Sequence, residues 1–238
     1  MKLRLIGISS SPKKRSTYKL VEIALEAAKD AILEEKSDTE IESEIISFKG
    51  KRIRECIDCG ACLKRAGCIL KDDWYECMKY LIDPVPDGVI IGSPVYFYSV
   101  NSQLRAFFER TKSLFKKDWY EKYPLQIPNW TNTAAGAITT GYHRNGGQEH
   151  AAANIIDWFL NVGFVPVGCF RFKDSLGSYT EKPKGYTAGT AVADNLSVDP
   201  PILVDEIGIY VVKTLGARVG ETALRLHLGD AILNKDNK

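Results

Sequence analysis

Apolar positions along the chain alternate between two periods. Short unbroken apolar runs at residues 3–9, 88–95, 134–140 and 165–172 predict strands buried on both faces, and the alternation over 41–48 predicts a half-buried strand. Between them the period lengthens. Residues 18–35 carry Leu20, Ile23, Ala24, Ala27, Ala31 and Ile32 on one side of a helix. Further helices are predicted over 74–82, 101–116, from the loop 141–147 to about 162, and 203–228; Asp72 and Asp73 suit the N-cap of the first of these. Strands alternating with helices at these lengths predict one parallel sheet with helices on both faces. Such sheets bind ligands beyond the carboxyl ends of their strands. The three most unusual loops follow the strands that end near Ser9, Ser93 and Thr140, so all three share that edge. Residues 173–202, rich in Gly, Pro, Ser, Thr and Lys, read as a long ordered excursion or a subunit arm, stopped by Pro200-Pro201. There is no internal repeat.

Composition narrows the class without naming a chemistry. At 238 residues, 45% hydrophobic and 26% charged, the chain is sized and composed as a globular protein with a substantial core. A net charge of +2 gives no reason to expect nucleic acid. Residues 1–6 run straight into a strand without an apolar leader, and no uncharged apolar run would span a bilayer. The expectation is a cytoplasmic protein. In a reducing compartment, clustered cysteines act as metal ligands or redox groups rather than disulfides.

Four of the six cysteines are clustered: Cys56, Cys59, Cys62 and Cys68, spaced C-x2-C-x2-C-x5-C. Three thiolates fall on a tight turn that Gly60 helps to close, and Gly67 lets the chain return for the fourth. A single iron–sulfur cuboid needs four converging thiolates, and no second cysteine set exists to share them. Structural zinc commonly takes two well-separated pairs, which this spacing fits poorly. A cysteine loop without any metal is the other alternative. Cys77 and Cys169 lie apart and read as small buried apolar residues.

The loop after the first strand is small, hydroxyl-rich and basic, and it opens a helix. Helix N-terminal amides and the helix dipole favour a phosphate there. Ser9, Ser11, Ser16 and Thr17 offer hydroxyls, and Lys13 and Arg15 offer charge; the Walker A spacing is missing. The bland alternative is a solvated turn with a hydroxyl cap. The second loop, Ser93-Pro94-Val95-Tyr96-Phe97-Tyr98-Ser99-Val100-Asn101, sets aromatics and a proline at the end of a buried strand. That gives a flat apolar platform with backbone amides, which suits an isoalloxazine ring; the alternative is that the rings cover the core edge. In the third loop, Thr140 and Gly141 lead to Arg144, Gly146 and Gly147, where backbone can approach a ligand closely. Arg144 suits the negative pole of a reduced flavin, His143 reads as a solvent-facing loop histidine, and Glu149 fits the first turn of the next helix.

The order Gly7-x-Ser-x-Ser11-Pro-Lys-x-x-Ser16-Thr17, then Gly92-Ser-Pro-Val-Tyr-Phe97, then Arg144-Asn-Gly-Gly-Gln-Glu149 resembles the flavodoxin-like NAD(P)H-dependent FMN reductase superfamily. With the cysteine run between the first two loops, the chain most resembles the iron–sulfur flavoproteins of anaerobic archaea and bacteria. The resemblance covers roughly residues 1–172. It implies a flavodoxin-like doubly wound sheet of five parallel strands in the order 2-1-3-4-5, with a cysteine-rich insertion over 50–72. Residues 173–238 would form a C-terminal arm and helix on the same domain or a neighbouring subunit. It also implies one FMN on the matched loops, one [4Fe-4S] cluster on the four cysteines, and homodimers or homotetramers in which flavin and cluster of neighbouring subunits approach. Lys13 stands where the family usually has arginine, and the phosphate loop is one residue shorter. Lysine supplies charge without a bidentate fork.

The chemistry expected is flavin-dependent oxidoreduction without a side-chain base or nucleophile. A cluster beside the flavin would link a one-electron donor such as a ferredoxin to a two-electron acceptor such as a quinone, a flavin or an oxygen species. Without a cluster, NAD(P)H would be the donor to an FMN or quinone reductase, stacking on the flavin itself, since no separate G-x-G-x-x-G unit is present. A binding module that keeps the fold but not the chemistry is the rival from another class. No nucleic-acid or membrane partner is expected.

Overall fold

A computed structural model of the chain describes residues 1–64, 67–115, 128–143, 145–171, 189–192 and 205–236. The first strand β1 (Lys2–Ser9) leads through a polar loop into α1 (Ser16–Glu35) and then β2 (Glu40–Ser47). The cysteine segment precedes α2 (Trp74–Ile82), then β3 (Gly88–Tyr96) and a two-residue strand β4 (Ser99–Val100). Helix α3 (Ser102–Glu109) tightens into a 3-10 turn, Arg110–Leu114. The remaining elements are β5 (Ala134–Gly141), α4 (Gln148–Val162), β6 (Val165–Pro166), β7 (Gly189–Val192) and α5 (Glu206–Asp236).

The strands form one sheet in the order β2-β1-β3-β5-β6. All of these neighbours are parallel, and β4 folds back antiparallel on β3. This is the doubly wound order expected from the sequence, the short hairpin strand aside. One expectation is corrected. The fifth position is not a single strand over 165–172. β6 pairs only with Ala134 and Ala135, and β7 takes over along Ile138–Gly141. Pro166 brings no amide proton to the ladder and Gly168 no side chain, so the strand stops early. The excursion then returns a strand of its own to the sheet. The rest of 173–202 lies outside the described residues.

Each face of the sheet has its own apolar layer. One joins α2, α3 and α4 through Trp74, Phe107, Trp158 and Phe159. The other joins α1 and α5 through Leu20, Val21, Leu215 and Val219. Arg171, beyond β6, ties to α5 by donating from Nε and an NH2 to Glu221 Oε1 at 3.0 and 2.8 Å. Among the described residues, no helix is long and apolar enough to cross a membrane.

Candidate functional site

Parallel register brings the carboxyl ends of β1, β3 and β5 together. Ser9 stands opposite Gly92, Ser93 opposite Thr139, and Pro94 opposite Thr140. Hydrogen bonds then lock the first loop to the second. Ser10 N donates to Gly92 O at 2.9 Å, and buried Asn101 donates from Nδ2 to Ser10 O at 2.7 Å. Ser93 Oγ donates to Pro94 O at 2.8 Å and accepts from Asn101 N at 3.2 Å. Ser93 therefore braces the second loop from within, and Asn101 ties that loop to the first.

Ser9, Ser10, Ser11, Ser16 and Thr17 are all buried at the start of α1, Arg15 is partly covered, and Lys13 is exposed. No side chain caps α1, so its first-turn amides and positive pole are left to the loop. The hydroxyls of Ser9, Ser10 and Thr140 are buried without a hydrogen-bond partner among the described residues. Buried hydroxyls are rarely left so, and three of them at one sheet edge mark a place where a polar ligand would complete the bonding. Ser10 had the same sequence signal as its neighbours yet was not singled out by it. Its buried hydroxyl depends on the pairing of β1 with β3.

The second loop is a strained hairpin. Phe97 and Tyr98 hold φ of 46° and 63°, and Tyr96, Phe97 and Tyr98 are all exposed at its tip. Bulky residues rarely adopt this left-handed region, and such strain clusters at ligand-binding sites. No sequence signal marks it. Gly147, at φ 97°, lies so close that a Cβ there would come 2.6 Å from Tyr98 Cα. Buried Gln148 holds the third loop: its Oε1 accepts from Gly146 N at 2.7 Å, and its Nε2 donates to His143 O at 2.6 Å. Val95 is half-buried, Gly141 is buried in β5, and His143 and Glu149 are exposed. Arg144 lies outside the described residues.

The four motif cysteines line one small cavity, together with Ile57, Ile69 and Leu70. Its far wall is the turn after α3, through Arg110, Lys112 and Ser113. Arg110 is buried against Asp72 at 2.6 Å. Burial opposes the Asp72 charge, but the Arg110 guanidinium and the amides of Arg54 and Trp74 outweigh it and hold the carboxyl below its ordinary range. Lys112 is raised by Asp58 first and by Cys56 second. The Lys112 ammonium thus stands beside the Cys56 thiol. Among the described residues, no three His, Cys, Asp or Glu side chains are drawn together tightly enough for a single metal ion. Cys77 and Cys169 are buried elsewhere, in α2 and beyond β6; no strand contains Cys169.

Comparison with known proteins adds three findings. The family model described as NADPH-dependent FMN reductase matches residues 3–175. An iron-sulfur flavoprotein of Methanocaldococcus jannaschii is 31% identical over 92% of this chain and 96% of its own length, and one of Archaeoglobus fulgidus is 30% identical over 93% and 96%. Among solved structures, RosB with a bound riboflavin-phosphate intermediate superposes with TM-score 0.62 at 14% identity, covering 99% of this chain and 88% of RosB. An NAD(P)H:quinone oxidoreductase from Methanothermobacter marburgensis gives 0.51 at 13%, covering 92% and 98%. Both structural likenesses establish the fold.

Proposed function

The chain belongs to the NADPH-dependent FMN reductase family, with iron-sulfur flavoproteins as its sequence relatives, and from that premise we propose that it couples FMN to a [4Fe-4S] cluster. It is an FMN-dependent oxidoreductase on a flavodoxin-like sheet. When bound, FMN supplies exchange of a hydride or of single electrons, and the cluster supplies single electrons.

The FMN part of the reading assigns roles by loop. The phosphate would rest on the first-turn amides of α1, with hydroxyls from Ser9, Ser10, Ser11, Ser16 and Thr17 and charge from Lys13 and Arg15. The ring would lie along residues 93–97, with Thr140, Gly141, Gly146 and Gly147 at its other edge and Arg144 and Glu149 nearby. The unpartnered hydroxyls of Ser9, Ser10 and Thr140 support it.

The observation that carries the coupling is the common cavity of Cys56, Cys59, Cys62 and Cys68. Four thiols spread around a cavity suit a polynuclear group, whose terminal ligands stand farther apart than those of one zinc ion. From Asn101, at the aromatic loop, to Arg110 and Ser113, which both wall the cysteine cavity, α3 and its turn span roughly 14–20 Å. Electron transfer falls steeply over such a length. That favours a homodimer or homotetramer in which one subunit's cluster meets a neighbour's flavin. NAD(P)H and quinones are the partners suggested by the family; a ferredoxin-like donor belongs to the proposal, as does a reducing compartment such as the cytoplasm.

The test is an anaerobic purification with a visible spectrum and iron and sulfide analysis. The expected result is flavin bands together with about four irons and four sulfides per chain. Flavin without iron would remove the cluster and leave a plain NAD(P)H-dependent reductase.

A further inference from the structure

The turn that walls the cysteine cavity carries two buried donors that nothing among the described residues satisfies. Arg110 is 2% exposed and Ser113 3%. Both line the cavity. Among the described residues, Arg110 Nε and Ser113 Oγ have no hydrogen-bond partner. The rest of the Arg110 guanidinium is committed. Its NH1 donates to Asp72 Oδ2 at 2.6 Å and to Arg54 O at 3.2 Å, its NH2 donates to Leu70 O at 3.5 Å, and its plane lies over Trp74 at 5.0 Å. These contacts fix the guanidinium, so Nε cannot swing away to find another acceptor. A buried N–H or O–H left unpaired calls for an acceptor, and the four cysteines are the sulfur ligands around the same space.

We propose that Arg110 and Ser113 donate hydrogen bonds, from Nε and Oγ, to sulfurs of the cluster held by Cys56, Cys59, Cys62 and Cys68, and that these bonds raise its reduction potential. The proposal rests on the cluster reading above. One-electron reduction, with the electron drawn from the external donor, adds one negative charge to the cluster and its thiolates. Donors aimed at the sulfurs bind the more negative state more strongly and so make the electron easier to accept. Neither residue exchanges a proton in this step.

The test uses the anaerobically purified holoprotein and an electron-paramagnetic-resonance redox titration, with the flavin midpoint in the same sample as reference. Ser113→Ala is expected to shift the cluster midpoint to lower potential and leave the flavin midpoint in place. Ser113→Thr, which keeps the hydroxyl, is expected to restore the wild-type value. Arg110→Lys, which keeps the charge and loses the Nε donor, is expected to lower the midpoint too. If that variant fails to fold, the two Ser113 variants decide alone. Wild-type midpoints in Ser113→Ala, or equal shifts in Ser113→Ala and Ser113→Thr, would overturn the proposal while leaving the cluster intact. A wild-type protein without iron would overturn the cluster reading itself, and this one with it.

Discussion

Cys77 and Cys169 carry the same thiol as the four motif cysteines, and their surroundings make it a different group. They are 1% and 3% exposed. Burial pushes Cys77 up to about 11 and Cys169 up to about 12. A raised thiol pKa means less thiolate, so both stay protonated and inert at neutral pH. Iodoacetamide at pH 8 on the folded, metal-free protein is therefore expected to label Cys56, Cys59, Cys62 and Cys68. Cys77 and Cys169 should react only after denaturant is added. Peptide mass mapping checks this, and rapid labelling of either in the folded protein would contradict it. Spacing alone separated these two classes in the sequence. Arg110 was not legible in the same way. On a helical stripe it reads as one more surface cation, and its burial depends on Asp72, 38 positions away. Ser10 escaped for a related reason, since its burial comes from a neighbouring strand.

Among the elements, the β3–β4 hairpin separates folding from function. Phe97 is wholly exposed, so its ring packs against nothing among the described residues. Its left-handed backbone costs about 1–2 kcal/mol, as does that of Tyr98. A residue that gives the fold no burial and adds strain is best explained by a ligand. Phe97→Gly is expected to leave the unfolding free energy of the FMN-free protein within about 1 kcal/mol of wild type, because strain relief offsets the added freedom of the unfolded chain. The same change should weaken FMN binding about tenfold or more, which is about 1.4 kcal/mol. Flavin fluorescence titration measures the second quantity and denaturant unfolding the first. A large loss of stability with unchanged FMN affinity would make Phe97 a structural residue. The strands flanking this hairpin were legible because unbroken apolar runs mark buried parallel strands. The turn dihedrals were not, since aromatics give no local signal for positive φ. β7 was hidden too: Gly-Thr-Ala-Val has no large apolar residue beyond its last, and it sits in a segment of turn composition.

For the molecule as a whole, the C-terminal helix decides where the loop after β1 stands. α5 packs along α1, and α1 begins at that loop. The contact is backbone to backbone. A Cβ at Gly216 would overlap the Ala24 carbonyl oxygen, and one at Gly220 would overlap that of Ala28. Helix propensity and packing therefore predict opposite signs for one substitution. In a free helix, Gly→Ala gains about 1 kcal/mol. Here the added methyl has only backbone to push against, and overpacking of that kind loses about 1–3 kcal/mol. Packing is expected to win, because neither carbonyl can move without moving α1. Gly216→Ala and Gly220→Ala should each lower the denaturation midpoint and weaken FMN binding together, since a displaced α1 carries its first-turn amides away from the sheet edge. Gly229, further along the same helix, where an added Cβ would meet nothing within 4 Å among the described residues, gives the control: alanine there should stabilise or do nothing. If Gly220→Ala behaved like Gly229→Ala, α5 would not bear on α1 as closely as its glycines require. The loop before α1 would then owe its position to the sheet alone.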